Sequence, residues 1–309
     1  MDGFAAQSPE GSAAPTAESR AAEPPPKGSA TRPPAGWAPW TAAVALIGGL
    51  ALALVGGLVV DLPALALGVK ITSSHTPPGI SIADTVVQDV GFVLASVFCA
   101  HIGAQAVRSW QFGLRPPRVG WRKAIGLIVL LLVAFIVLSA AWAAIFHPSE
   151  EKLLETLGSN EGTTLLVLSA ALTCVVAPIC EEFLFRGYIF TALRNWRGTL
   201  PAALITGLVF GAVHAGSAPA LDLAPLAALG FGLCLLYRYS GSLYPCIVAH
   251  CLNNCLAFSS LEDWGWQGLV LIVCALAAIG ALVALFKGVG LIAPVGAEPL
   301  SAGAAPRIG

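Results

Sequence analysis

The chain has 309 residues, 57% of them hydrophobic and only 11% charged, with a mean hydropathy of +0.81 and a net charge of −1. A water-soluble fold of this length would have too little polar sequence to cover itself, so composition predicts an all-α, polytopic membrane helix bundle. Nucleic acid is excluded as a partner, because the chain has no basic field to meet a phosphate backbone.

In chain order, residues 1–36 are rich in Ala, Pro, Ser and Glu and include Pro24-Pro25-Pro26 and Pro33-Pro34, a composition that predicts a disordered tail. Apolar sequence starts only after Trp37, too late for a signal peptide. A transmembrane domain is predicted over 37–290 and a second tail over 291–309. A helix needs about 20 apolar residues to cross the hydrocarbon. Eight stretches qualify, near 38–60, 84–107, 122–146, 163–186, 199–215, 223–238, 242–260 and 266–287. The fifth and sixth are short and interrupted by Gly and Pro, as expected of helices that flank a cavity and are shielded by protein.

The basic residues sort with these spans. Arg20, Lys27 and Arg32 precede the first span, and Arg108, Arg115, Arg118, Arg122 and Lys123 follow the second. Arg194 and Arg197 follow the fourth, Arg238 the sixth, and Lys287 and Arg307 the eighth, whereas the alternate loops hold only Lys70 and Lys152. By the positive-inside rule both termini are cytoplasmic. The eight cysteines show no paired C-x-x-C spacing and read as small core residues.

The fourth span carries Cys180-Glu181-Glu182-Phe183-Leu184-Phe185-Arg186. Each acid or Arg at the centre of a membrane helix costs about 2.5–3.5 kcal/mol on insertion, so such a run persists only if something compensates it. Pro178, just before the acids, should kink or open the helix. Glu182 and Arg186 stand at i, i+4 with the acid N-terminal, the favourable order for a structural ion pair. Glu181 is rotated by about 100° and left free of that partner. The fifth span contains Phe210-Gly211-Ala212-Val213-His214; the seventh has His250 and Asn254 on one face, with Asn253 beside them.

At 1.5 Å per residue these groups lie roughly 12–22 Å from the cytoplasmic face, so Glu181, His214 and His250 can meet at one level. His75 and His147 fall in outer loops, and His101 has no acidic neighbour. A carboxylate beside an imidazole takes a proton from water and passes it to a leaving amine, while His and Asn donors stabilise the oxyanion formed at a carbonyl. Amide hydrolysis fits that set.

With these residues in view, the chain resembles the CPBP family of intramembrane proteases, which contains the type II CAAX prenyl endopeptidases and the bacterial Abi proteins. The motifs E-E-x-x-x-R, F-x-x-x-H and H-x-x-x-N match as Glu181-Glu182 with Arg186, Phe210 with His214, and His250 with Asn254, inside a core of about 165–260. The stretch from Phe112 to Arg118 is similar to the G-L-R-x-P loop of bacterial members. The resemblance implies an eight-helix bundle with a cavity open to the cytoplasm, in which Glu181 and His214 activate water and His250 with Asn254 form the oxyanion site. It also implies an endopeptidase of a bacterial cell membrane, multi-pass, acting in the bilayer on a peptide or membrane-protein substrate.

A divalent metal such as zinc is left open, with Glu181, His214 and His250 as its ligands if present, because no H-E-x-x-H spacing supplies a recognisable zinc site. No G-x-G-D points to an aspartyl dyad, and Ser240 in Tyr239-Ser240-Gly241-Ser242 lacks the preceding Gly of a rhomboid-type motif. The alternative reading is a non-catalytic membrane protein, of bacteriocin-immunity or regulatory type, that keeps the same groups as a polar network. A transporter predicts inverted repeats, and none is found.

Overall fold

The computed structural model describes residues 36–72, 76–102, 107–146 and 162–292. The expectations for the two tails, for His75 and His147 and for Lys152 therefore lie outside the described residues, as do the positions of both termini. Among the described residues eight helices run up and down: α1 (Trp40–Ala66), α2 (Pro78–His101), α3 (Trp121–Phe146), α4 (Thr163–Arg197), α5 (Thr199–Val213), α6 (Leu223–Ser240), α7 (Tyr244–Leu261) and α8 (Trp266–Gly288). The chain is thus an all-α polytopic membrane bundle. Helix α2 begins six residues before the expected span, at Pro78, whose missing N–H costs nothing at a helix start. Helix α4 runs eleven residues beyond its expected end.

Seven of the helices are long and apolar enough to cross a membrane. The exception is α7, in which His250, Asn253 and Asn254 dilute the apolar character. Its polar residues are tolerated because neighbouring helices, not lipid, surround them: Ala249, His250, Cys251 and Cys255 are all buried. Large apolar side chains instead cover the outside, with Leu54, Val59, Leu130, Val137, Leu269 and Val273 each more than half exposed. Lipid as solvent accounts for this inversion of the soluble pattern.

Close approach of α5 and α6 sets the interior. A Cβ on Gly211 would sit 2.4 Å from the Leu223 carbonyl oxygen, and one on Gly207 2.7 Å from that of Ala227. Gly207 and Gly211 thus form a G-x-x-x-G face that lets the two backbones touch. Gly230 completes the contact from α6, where a Cβ would lie 2.8 Å from that of Phe210.

The end of the bundle at which α2, α4, α6 and α8 finish is sealed. A 3₁₀ turn over Ser109–Phe112 ends at Gly113, whose φ of 82° is left-handed and whose missing Cβ makes room for the Tyr237 ring. The following segment is stitched to the α6–α7 corner: Leu243 N–H donates to the Gly113 carbonyl at 2.8 Å, Arg118 N–H to Ser240 at 2.8 Å, and Arg115 Nε to Gly241 at 2.8 Å. Phe112 stacks on Phe183 at 4.3 Å and meets Trp37 at 4.9 Å, and Trp37 in turn lies 4.6 Å from Tyr188.

Candidate active site

Helix α4 bends its own hydrogen-bond ladder around the acidic pair. A π-helical turn over Leu172–Val176 precedes the α-helical Ala177–Glu182, and a second covers Phe183–Phe190. In the first turn Ala177 N–H reaches back five residues to Leu172. The next bond in that register would come from residue 178 to Thr173, but Pro178 has no N–H. The Thr173 carbonyl is thereby released, and Asn254 Nδ2 on α7 donates to it at 3.0 Å. The opening expected at Pro178 thus has a structural use, because it joins α4 to the Asn of the third motif.

Glu182 is fully buried and holds two helices together. Its Oε1 accepts from Arg186 Nη1 at 2.6 Å and from His250 Nδ1 at 2.9 Å. Arg186, also fully buried, donates through Nη2 to the Gly230 carbonyl at 3.0 Å and lies 4.5 Å above the Phe210 ring. Phe210 touches everything around it: its ring centroid is 4.9 Å from that of His214, 5.6 Å from His250 and 5.1 Å from Phe185. The Phe of F-x-x-x-H therefore separates the guanidinium from the two imidazoles and supplies a cation–π surface for the charge.

Glu181 points elsewhere. Its side chain is 12% exposed, lines a cavity of about 470 Å³, and carries Oε2 without a hydrogen-bond partner among the described residues. His250 Nε2 stands 3.9 Å from that oxygen, beyond hydrogen-bond length. His214 follows the end of α5, half-buried on the same cavity, with Nδ1 2.7 Å from the Phe210 carbonyl. A carbonyl only accepts, so Nδ1 carries the proton and Nε2 of neutral His214 is left as an acceptor. His250 follows the same logic, with Nδ1–H donated to Glu182 and Nε2 turned toward Glu181.

All four expected catalytic residues, Glu181, His214, His250 and Asn254, line this one cavity, and Asn253 joins them by donating from Nδ2 to Asn254 Oδ1 at 3.2 Å. The imidazole nitrogen 3.9 Å from Glu181 is that of His250, while His214, to which the resemblance gives a shared role with Glu181, lines the same cavity. Nor is Asn254 an unengaged donor, since Thr173 takes one of its two Nδ2 hydrogens. Ser240, set aside on sequence grounds, donates its hydroxyl to the Ser242 carbonyl at 3.1 Å. His101 spends Nδ1 on Val97 of its own helix at 2.7 Å.

Among the described residues no group of three His, Cys, Asp or Glu is arranged to hold a metal ion. Glu181, His214 and His250 are not such a group, although occupation of Nδ1 by Glu182 and by the Phe210 carbonyl leaves Nε2 of both imidazoles free. All eight cysteines are free thiols, six of them buried, with Cys251 and Cys255 one turn apart.

The cavity wall opposite α4 and α7 was missed on sequence. It comprises Asp61 on α1 and Asp84, Thr85 and Gln88 on α2. Nearby Asp89, 1% exposed, interacts electrostatically with Glu181 and has neither carboxylate oxygen partnered among the described residues. The signal that marked Glu181, an acid inside an apolar span, was present at Asp89, whereas Asp84 opens the expected second span and Asp61 falls one residue beyond the expected first.

Fold and site define a multi-pass helical membrane protein whose intramembrane carboxylates and imidazoles are gathered at one cavity. Residues 163–256, the segment that contains all three motifs, match the family described as type II CAAX prenyl endopeptidase Rce1-like. It is similar to a Bacillus subtilis (strain 168) protein named "Putative membrane peptidase YdiL", with 31% identity over 150 residues covering 44% of this chain and 58% of that protein. It is also similar to an uncharacterized protein of Mycoplasma capricolum subsp. capricolum, with 30% identity over 93 residues covering 30% of this chain and 27% of that protein. The chain thus spans less than two thirds of the length of either relative. No solved structure matches it.

Proposed function

We propose that the protein is an intramembrane endopeptidase, hydrolysing a peptide bond of a membrane-associated protein or peptide, with Glu181 as general base. The reading rests on one observation: of the two adjacent acids, each with an unpartnered Oε2 among the described residues, only Glu181 lines the cavity, where that oxygen stands 3.9 Å from an imidazole nitrogen. Glu181 takes a proton from water as the water attacks the scissile carbonyl, and returns it to the leaving amine. His214 Nε2, an acceptor in the neutral ring, helps orient that water.

His250, fixed through Nδ1 by Glu182, presents Nε2 to the reaction; as the imidazolium, its second proton taken up from solvent through the cavity before the attack and kept throughout, it donates from Nε2 to the oxyanion. Asn254 has a second Nδ2 hydrogen for the same purpose, with Thr173 holding the first. Glu182 and Arg186 are positioning residues, since their contacts are with His250, Phe210 and Gly230 and not with the cavity. The similarity to a protein named as a membrane peptidase supports this chemistry.

The test compares new N-termini in membranes of cells making the wild-type chain with those of cells making Glu181→Gln at equal abundance. Termini present only with wild type are expected. Identical sets would sink the reading and favour the non-catalytic alternative.

A further inference from the structure

The cavity lies in one half of the bundle. Its lining runs on α1 from Leu50 to Asp61, about 16 Å toward the end of that helix, and on α2 from Phe92 back to Asp84, about 12 Å toward its start. From α4 it takes Thr173, Ala177 and Glu181, in the first half of the span; from α6 Leu226 and Leu229, near the first turns. From α5 and α7 it takes the C-terminal stretches instead, down to Ser217 and Ala257. Chain direction alternates from helix to helix, so every one of these positions lies between the catalytic level and the same end, where α1, α5 and α7 finish and α2, α4 and α6 begin.

That end is opposite the basic one. Among the described residues, Arg108, Arg115, Arg118, Arg122, Lys123, Arg194, Arg197, Arg238 and Lys287 all sit where α2, α4, α6 and α8 finish, against Lys70 alone at the cavity end. The basic end is the one sealed by Phe112, Trp37 and Tyr188 and by the stitched segment from Gly113 to Arg118. A cytoplasmic position for the basic loops and a cytoplasmic mouth for the cavity, both expected from sequence, cannot therefore hold together.

We infer that the catalytic cavity receives its substrate from the extracytoplasmic side of the membrane. The positive-inside rule orients the molecule by its loops, and the sealed end removes the competing route. The substrate class that follows is a translocated segment of an exported or membrane-anchored polypeptide, in place of a prenylated tail delivered from the cytoplasm. This inference uses the proposed site, but access is measurable without cleavage.

The test is thiol labelling of the full chain by a charged, membrane-impermeant maleimide, with the unsubstituted chain as baseline for its own cysteines. Thr85→Cys and, independently, Ser217→Cys place a thiol on the cavity wall near the inferred mouth; Arg197→Cys marks the basic end. Each is made in both wild-type and Glu181→Gln backgrounds. In intact cells, labelling of Thr85→Cys or Ser217→Cys at least about tenfold over baseline is expected, with Arg197→Cys reacting only in inside-out vesicles. Cavity thiols that react only in inside-out vesicles, or from neither side, would overturn the inference. Loss of cleavage in Glu181→Gln with unchanged labelling keeps this result separate from the fate of the peptidase reading.

Discussion

The two halves of the bundle treat polar groups in opposite ways. In the basic half the buried polar groups serve structure: Tyr188 Oη donates to Thr41 Oγ1 at 2.8 Å, Thr191 Oγ1 donates to the Arg186 carbonyl at 3.0 Å, and the 113–118 segment exchanges hydrogen bonds with the α6–α7 corner. In the cavity half, carboxylates of Asp61, Asp84 and Glu181 keep oxygens without protein partners. The boundary falls between two consecutive residues, Glu181 and Glu182. One helix therefore provides both an anchor and a reactive group, because a step of about 100° around its axis changes the neighbours from Arg186 and His250 to an open cavity. Buried unsatisfied carboxylates are especially costly, and the gathering of Asp61, Asp84 and Glu181 on one cavity is what distinguishes that half.

The sharpest way to break this comparison is Glu181→Gln, which removes the proton acceptor and leaves the basic half intact. Cleavage is expected to fall by about 10²–10⁴-fold, the usual share of a general acid–base group, with thermal stability in detergent near wild type. A stable variant that still cleaves would move the base elsewhere. Glu182→Gln should act on both halves, because it leaves Arg186 buried with a weakened partner and unfixes His250. Breaking a buried pair costs about 3–5 kcal/mol, read as lower folded yield and a lower unfolding midpoint as well as lost activity. If Glu182→Gln is stable and inactive while Glu181→Gln misfolds, the two roles are reversed.

Asn254→Ala sharpens the account of the oxyanion site. Turnover is expected to drop about 10²–10³-fold with KM little changed. A raised KM at constant kcat would make Asn254 a binding group tied to Thr173. Gly211→Ala tests the helix contact that carries Gly230 to Arg186. With a Cβ 2.4 Å from the Leu223 carbonyl oxygen, α5 and α6 must part, at about 1–3 kcal/mol, visible as a lower unfolding midpoint. The smallest effect is expected from chelation: with no group of three ligands arranged among the described residues, EDTA should leave cleavage unchanged. Loss of activity restored by zinc would show that a metal gathers Glu181, His214 and His250.

Much of this molecule was legible as sequence because the membrane imposes strict local rules. A span of fixed thickness must be crossed by apolar helices that satisfy their own backbone, so eight helices and their order follow from hydropathy. The acidic run and the two His motifs stood out because ionisable groups are rare in such helices. The i, i+4 relation of Glu182 to Arg186 is local and needed no tertiary information. Asp89 lay as plainly inside an expected span, while Asp61 and Asp84 fell at span edges, and the relevance of all three depends on α1 and α2 packing against α4.

Sequence by itself determined the class of protein, the course of the chain through eight helices and the residue types available for chemistry. Tertiary structure alone decided that His250 Nε2 stands 3.9 Å from Glu181, that Glu182 bridges Arg186 to His250, and that Asn254 is held by Thr173. It also decided at which end of the bundle the cavity lies. The physical reason is that helical periodicity specifies which residues share a face, whereas rotation and depth of one helix against another depend on the packing of small residues such as Gly207, Gly211 and Gly230 across an interface.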